Sequence, residues 1–304
     1  PQPVVSFLVP AFNAEEFLLE SLSSIEQVNY CCKEVVIVDD GSTDTTRQTI
    51  TEWATQHALP LVIESQPHQG ASAARNHGLK HAKASHRFVA FLDSDDIWPK
   101  DFLERTEKVL SQQAQAVAVT TDRAFFDPES DTVTNMDFSG IKTGPHRWIL
   151  QHGAGFGSAT LFRTAAVIEA GCYPEHFPTG HDAVLFGRIA RLGKWAHATG
   201  APVMMRRYRS QSQRGRTWHL YTQHPDYLIW RAKAGQTLWD EGPPDLRDDL
   251  LAREGLANRW ALALGNAIRL KNWRLAFESL KRINQAIPLK PSTWSRRWRS
   301  IRGI

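Results

Sequence analysis

The sequence predicts an α/β fold, a mostly parallel sheet flanked by helices, followed by a helical C-terminal extension. Three observations lead there. Strand-like and helix-like segments alternate through the first 110 residues. The strand-like segments are near-continuous Val/Ile/Phe/Leu runs, the pattern of strands buried on both faces. Polar residues gather where each of these runs ends.

The elements follow in order. "VVSFLVP" (4 to 10) is a short β-rich run, and "AEEFLLESLSSIEQ" (14 to 27) places Phe17, Leu18, Leu22 and Ile25 at helical spacing. "EVVIVDD" (34 to 40) is a strand and "STDTTRQTITEWATQHA" (42 to 58) a helix. "PLVIES" (60 to 65), "ASAARNHGLKHA" (71 to 82) and "RFVAFLD" (87 to 93) continue as strand, helix and strand. Past Leu220 the chain reads as helices. Leu256, Trp260, Leu264 and Ile268 recur at helical spacing, and a turn at Lys271-Asn272 leads into a second helix, giving a hairpin that packs on the preceding domain.

Ligands of open parallel sheets bind at the carboxyl ends of the strands. Here Pro10, Phe12 and Asn13 end the first strand, Asp39 and Asp40 the second, Gln66 and His68 the third, and Asp93, Asp95 and Asp96 the fourth. Turn and capping chemistry offers a purely structural reading of each, with Ser42 or Asp44 as the N-cap of the next helix. Carboxylates at two ends of one sheet edge favour a site.

The net charge of +4 hides an asymmetry. From Arg206 onward there are 20 Lys+Arg against 8 Asp+Glu, and before it 16 against 24. Seven of the 11 Trp also lie in the basic part, which predicts a boundary near 205 to 220 and an anionic partner for the tail. No zinc-finger, RRM or P-loop pattern supports nucleic acid. No apolar run approaches the ~18 residues of a spanning helix, and the first ten residues lack the pattern of a secretory signal. The three cysteines form neither a disulfide framework nor a spaced ligand pair, so a cytosolic location is expected.

"VPAFNAEEFL", "VVIVDDGSTD", "QGASAARNHGL" and "FVAFLDSDDIWP", in this order, resemble the nucleotide-binding half of the family-2 glycosyltransferases with the Rossmann-like GT-A fold, densely over residues 4 to 110. The resemblance implies transfer of a sugar from a nucleotide diphosphate to an acceptor hydroxyl with inversion at the anomeric carbon. A diphosphate would be repelled by so acidic a pocket unless a hard divalent cation, Mn²⁺ or Mg²⁺, bridged the two. It further implies Asp93 on the ribose and Asp95 on the metal, with Asp96 either a ligand or an orienting neighbour. Asp39 or Asp40 accepts from the uracil ring nitrogen, Pro10, Phe12 and Asn13 line the base pocket, and Arg75 lies near the nucleotide or in an ion pair. His68, His77, His81 and His86 match no ligand spacing and are read as solvated.

For the acceptor side, "GFGSATLFRTAAVIEAG" (155 to 171) resembles the family segment that enters the sheet below the donor sugar, and Ser158 is its acceptor-side candidate. The family's Glu-Asp pair reads His181-Asp182 here. Asp182 is the expected catalytic base, and His181, standing where the family has glutamate, is a second acceptor-side candidate or orients the base. The family's Tyr-Arg-x-His loop is matched by Tyr208 and Arg209, with Gln211 in place of the histidine; Arg206, Arg207, Arg209, Arg214 and Arg216 are candidates to screen the departing diphosphate.

The expected organisation is a catalytic domain over 1 to 215, with a nucleotide-binding half to 110 and an acceptor half after it, and a basic, Trp-rich helical extension over 216 to 304. The expected function is metal-dependent transfer from a UDP-sugar to a glycan or lipid-linked glycan, as in bacterial surface polysaccharide. A non-catalytic nucleotide-sugar-binding module and a nucleotidyltransferase are the alternatives. In the tail, Trp294, Trp298 and Ile301 recur on one helical face among Arg296, Arg297, Arg299 and Arg302, which predicts peripheral attachment to an anionic inner membrane face.

Overall fold

The computed structural model describes residues 5–28, 33–57, 60–81, 86–127, 132–206 and 224–287. Arg209, Gln211 and the Trp294 to Ile301 stripe lie outside these residues.

Strands β1 (Val5–Ala11), β2 (Lys33–Asp39), β3 (Leu61–Ser65) and β4 (Phe88–Phe91) alternate with helices α1 (Leu18–Gln27), α2 (Thr46–Gln56) and α3 (Ala71–His81). All four strands are parallel, with β1 between β2 and β4 and with β3 beyond β2. Burial on both faces explains their unbroken apolar runs: Phe7, Val9, Val35, Ile37, Phe88 and Ala90 are fully buried. At β3 the pattern loosens and Ile63 is exposed.

Helix α1 starts four residues later than its apolar pattern suggests. Residues 14 to 17 form a turn because they are drawn to the next loop: Ala14 N–H donates to Thr46 Oγ1 at 2.7 Å and Glu15 Oε2 accepts from Thr45 N at 2.9 Å. Neither Ser42 nor Asp44 is the N-cap of α2. Thr45 holds that position, while Ser42 Oγ accepts from Asn13 N at 3.0 Å and Asp44 divides its oxygens between Thr46 N and Glu15 N. The two loops therefore brace each other.

Beyond β4 the sheet turns mixed. Helix α4 (Phe102–Gln112) leads into β5 (Ala116–Asp127) and β6 (Thr132–Met136), then α5 (Pro145–His152), β7 (Thr160–Arg163), α6 (Thr164–Glu169), α7 (His181–Ile189) and β8 (Lys194–Arg206). β7 lies antiparallel between β4 and β5, β6 pairs antiparallel with β5, and β8 runs parallel to β5. Phe156, Phe162, Phe186 and Trp195 pack ring to ring with centroids 5.1 to 6.1 Å apart, which seats α7 on the sheet.

Three helices cover this half: α8 (Tyr227–Glu241), α9 (Leu250–Arg269) and α10 (Trp273–Ala286). α8 docks on α7 through Arg188, whose guanidinium donates to both oxygens of Glu241 at 2.7 and 2.9 Å. α9 docks on α5, where Arg259 donates to the carbonyls of Ile149 and Leu150 in the last helical turn. Leu256, Trp260 and Leu264 are buried as their spacing predicts, but Ile268 is exposed. Steps of four residues overrun the 3.6-residue turn, so by the third step the series has wound off the buried face.

Candidate active site

Two carboxylates of the second strand end take different roles. Asp40, buried, accepts from Gln66 Nε2 at 2.7 Å and Gln69 N at 2.9 Å on Oδ1, and from Gly70 N at 2.8 Å on Oδ2, where His68 Nδ1 also lies at 2.9 Å. It is a latch for the loop between β3 and α3. Gly41 lets that loop close: its φ is +74°, and a Cβ there would meet His68 N at 2.8 Å. Asp39, also buried, receives Ser42 N at 3.0 Å on one oxygen, and among the described residues its other oxygen takes no hydrogen bond. Asp39 is thus the carboxylate with capacity for a ligand.

Pro10 and Ala11 bring β1 to this edge opposite Val38 and Asp39. Phe12 stacks on His68, centroids 3.9 Å apart and planes 23° from parallel, which gives the edge a flat aromatic surface. Asn13, at φ 47°, accepts from Thr43 N at 2.9 Å and holds the loop.

Arg75 is the centre of the arrangement and is buried. From α3 its guanidinium donates to Asp93 Oδ1 on one side, and its Nη1 lies 3.2 Å from His181 Nε2 on the other. The Tyr173 ring lies beneath it at 5.1 Å. Burial works to depress the Arg75 pKa, but Asp93, Tyr173 and Asp182 together outweigh it and the pKa is raised. Arg75 is therefore spent on an internal junction, not on the surface.

Because arginine only donates, His181 Nε2 accepts from it, so the imidazole is neutral and Nδ1–H points to Phe177 O at 3.4 Å. His181 thus orients Arg75. Its Nε2 stands 3.6 Å from Asp182 Oδ2, beyond a hydrogen bond. Asp182 sits in the first turn of α7, partly exposed, where the helix dipole favours a carboxylate. Gly180 sets the entry to that turn: it has φ +80°, and a Cβ there would meet Ala234 Cβ of α8 at 2.7 Å.

On the acidic turn, Asp93 is partly exposed and its N–H donates to Ser158 Oγ at 3.1 Å. Ser158, expected on the acceptor side, is buried under this turn and also accepts from Trp98 Nε1 through its carbonyl at 2.6 Å. Asp95 is partly exposed. Asp96 is buried, and its Oδ2 has no hydrogen-bond partner. Burial, with the charges of Asp95 and Asp93, pushes its carboxyl well above the usual range, against a smaller pull from Ser158 and Arg123. A cluster of hard oxygen donors with an orphaned buried oxygen fits a divalent cation. The turn is not among the three-donor clusters of the described residues.

Those clusters are Glu64–His77–His81 and Asp122–Asp137–His197. The reading of the histidines as solvated holds at His68, which is exposed, and needs correction at His77, His81 and His86. His77 and His81 face Glu64 one helical turn apart, His68 is bound to Asp40, and His86 is buried with Ser6 Oγ at 2.6 Å and Glu34 at 3.4 Å. Arg206, expected to face a diphosphate, lies over Phe17 and Phe126 and pairs with Glu20.

Sequence reasoning missed three residues. Tyr173 supports Arg75, and Asn76 fixes Tyr173 by exchanging hydrogen bonds with its backbone N–H and carbonyl, both at 2.9 Å. Arg123 is the buried cation nearest in effect to Asp96, with a pKa lowered to about 10 by burial, against a raising influence of Asp96. Only Asn76, adjacent to Arg75, carried a local signal.

Parallel strand ends, an acidic turn and a carboxylate opening a helix meet at one edge of a GT-A sheet. Residues 6–171 match Glycosyl transferase family 2, and the chain belongs to that family. A 101-residue stretch is 42% identical to the UDP-Glc:alpha-D-GlcNAc-diphosphoundecaprenol beta-1,3-glucosyltransferase WfgD of Escherichia coli, covering 33% of this chain and 38% of that protein. The chain therefore spans well under half of that relative. In fold it is similar to TarS 1-349 of S. aureus in complex with UDP-GlcNAc, with a TM-score of 0.71 at 18% identity, over 93% of this chain and 81% of that one. It is also similar to the mannosyltransferase PcManGT of Pyrobaculum calidifontis in complex with GDP-Man and Mn²⁺, with a TM-score of 0.57 at 21% identity, over 94% and 84%.

Proposed function

We propose that this protein is an inverting, divalent-cation-dependent glycosyltransferase that moves a sugar from a UDP-sugar to a hydroxyl of a glycan or lipid-linked glycan, in bacterial surface polysaccharide synthesis. The observation that carries the reading is the Arg75 junction, which ties the acidic turn at Asp93 to the start of α7 at His181 and Asp182. The name of WfgD carries a UDP-linked donor and a diphosphoundecaprenol-linked acceptor, which supports that choice of substrates.

The uracil ring N–H donates to the second oxygen of Asp39, and Phe12 with Asn13 and Pro10 borders the base. Asp93 accepts from the ribose. Asp95 and Asp96 would hold Mn²⁺ or Mg²⁺, which would supply charge neutralisation and Lewis acidity toward the diphosphate. The acceptor oxygen attacks the anomeric carbon, the bond from that carbon to the diphosphate oxygen breaks with its electron pair leaving on UDP, and the acceptor proton passes to Asp182. Attack opposite the leaving group inverts the centre. Arg209, at the sequence position of the family's Tyr-Arg-x-His segment, would screen the charge of the departing diphosphate.

The reading includes a cytoplasmic protein, peripheral on the inner membrane face. Trp273, Phe277 and Leu280 are exposed at i, i+4 and i+7 of α10, with exposed Leu270, Lys271, Arg274 and Lys281 nearby in sequence, which supports contact with an anionic surface. No helix of the described residues is long and apolar enough to cross a membrane.

The test is UDP release from a panel of nucleotide sugars with Mn²⁺, with and without chelator. Metal-dependent release supports the reading. UDP-sugar binding without turnover on any acceptor would make the protein a binding module, and pyrophosphate formation from UTP a nucleotidyltransferase.

A further inference from the structure

Strand β3 and helix α3 bring together Glu64, His77 and His81, which the site above does not use. Their ligand atoms all lie within 4.8 Å of one another. His77 Nε2 is 3.7 Å from Glu64 Oε2, and His81 Nε2 is 3.5 Å from Glu64 Oε1. Both separations exceed the reach of an N–H···O hydrogen bond. They suit donors that share an ion, because ligands bound tetrahedrally at ~2.1 Å stand roughly 3.4 Å apart. The two imidazoles, one helical turn apart, are stacked with centroids at 5.5 Å and planes 19° from parallel, so their ring edges are presented side by side.

The hydrogen bonding behind His77 points the same way independently. Gln66 Nε2 donates to Asp40 Oδ1 at 2.7 Å, which turns Gln66 Oε1 toward His77 Nδ1 at 2.8 Å. A carbonyl oxygen only accepts, so Nδ1 carries the proton, and in the neutral ring the lone pair is on Nε2, facing Glu64. A metal-ligating histidine is ordinarily held in this way, its other nitrogen donating to a fixed oxygen.

We propose that Glu64, His77 and His81 form a transition-metal site of the Zn²⁺ class, with water completing the coordination, separate from the all-oxygen turn at Asp95 and Asp96. Two imidazoles and one carboxylate favour Zn²⁺ over Mg²⁺ or Mn²⁺. The ion clips β3 to α3, two residues beyond Arg75 on the same helix. Through Gln66 it also backs the Asp40 latch. The site thus stiffens the element that carries the Arg75 junction, and it stands whether or not the proposed transfer reaction is correct.

The experiment titrates Zn²⁺, and Co²⁺ as a visible-absorbing substitute, into chelator-stripped full-length protein at pH 7.5, with His81→Ala, Glu64→Gln and Asp95→Asn in parallel. His81 and Glu64 are both partly exposed and Glu64→Gln preserves shape, so folding is retained. The expected result is one equivalent of Zn²⁺ that Asp95→Asn keeps, with affinity falling about 100-fold or more in His81→Ala and about 10-fold or more in Glu64→Gln, and tetrahedral Co²⁺ bands lost in His81→Ala. Failure of the wild type to bind Zn²⁺ at micromolar concentration overturns the proposal, as does unchanged affinity in both Glu64→Gln and His81→Ala.

Discussion

Replacing Arg75 with methionine tests how the two halves of the site are joined. The substitution keeps most of the side-chain volume and deletes the guanidinium, removing the hydrogen bonds to Asp93 and His181 and the contact with the Tyr173 ring. Hydrogen bonds to charged groups contribute about 1.5–3 kcal/mol each, and a desolvated cation–π contact about 1–2. Two features reduce the sum. Asp93 is 40% exposed on its side chain and rehydrates when its partner leaves, so the cost stays below the ~3–5 kcal/mol of breaking a wholly buried pair. Arg75 Nε has no partner, so its removal also ends a burial cost. The net loss is about 2 kcal/mol, or roughly 5 °C in Tm for a chain of this size. Turnover should suffer more, because Asp93 and His181 both lose their orientation, and a small misplacement of reacting groups costs ~10²-fold. Arg75→Lys restores the charge but not the fork, so it recovers part of the stability and little of the rate. Denaturant unfolding and steady-state kinetics read the two effects separately. Wild-type turnover in Arg75→Met would refute the junction.

Three further outcomes follow from the packing and charges. An unfolded aspartate ionises near 3.8, and folded Asp96 holds its proton to higher pH, so the folded state is progressively destabilised as pH rises through that interval; Asp96→Asn should therefore raise Tm at pH 7 without metal and abolish the Tm increase on adding Mn²⁺. The hydrogen bonds from Arg188 hold Glu241 below its ordinary 4.5, so this α7–α8 clasp is fully present above that pH and lost as pH falls through the lowered value; Glu241→Gln should flatten the acid limb of a Tm-against-pH curve. At Gly255 a new Cβ would meet the Leu150 carbonyl carbon at 2.7 Å and its oxygen at 2.8 Å, backbone atoms that cannot turn aside; the ~1 kcal/mol gain in helix propensity is outweighed by overpacking of about 3 kcal/mol, and Gly255→Ala should lower Tm by roughly 5 °C in calorimetry.

Much of this architecture is legible in local pattern. β1, β2 and β4 announce themselves because burial on both faces demands unbroken apolar runs, and the aspartates follow because the strand ends must turn. The hairpin turn at Lys271-Asn272 is local as well. What local pattern does not carry is partnership across the chain. Asp39 and Asp40 are indistinguishable until Gln66, Gln69 and Gly70 occupy the latter. Arg75 is placed by the resemblance near the nucleotide or in an ion pair, but its partner His181, 106 residues away, is not readable from its helix. Glu64 lies on a strand and His77 and His81 on a helix, so only the crossover between β3 and α3 reveals that they converge. The antiparallel insertion of β7 beside β4 is likewise a tertiary event that four residues, Thr160–Arg163, do not advertise.

The most direct test of the account is Asp182→Asn, measured both for UDP affinity with Mn²⁺ by calorimetry and for sugar transfer in the presence of acceptor. A general base removed without change of shape should leave UDP and metal binding at the wild-type level and slow transfer by ~10²-fold or more. Transfer at the wild-type rate with donor binding intact would contradict the account, since the proton would then be taken by a group other than the one that opens α7.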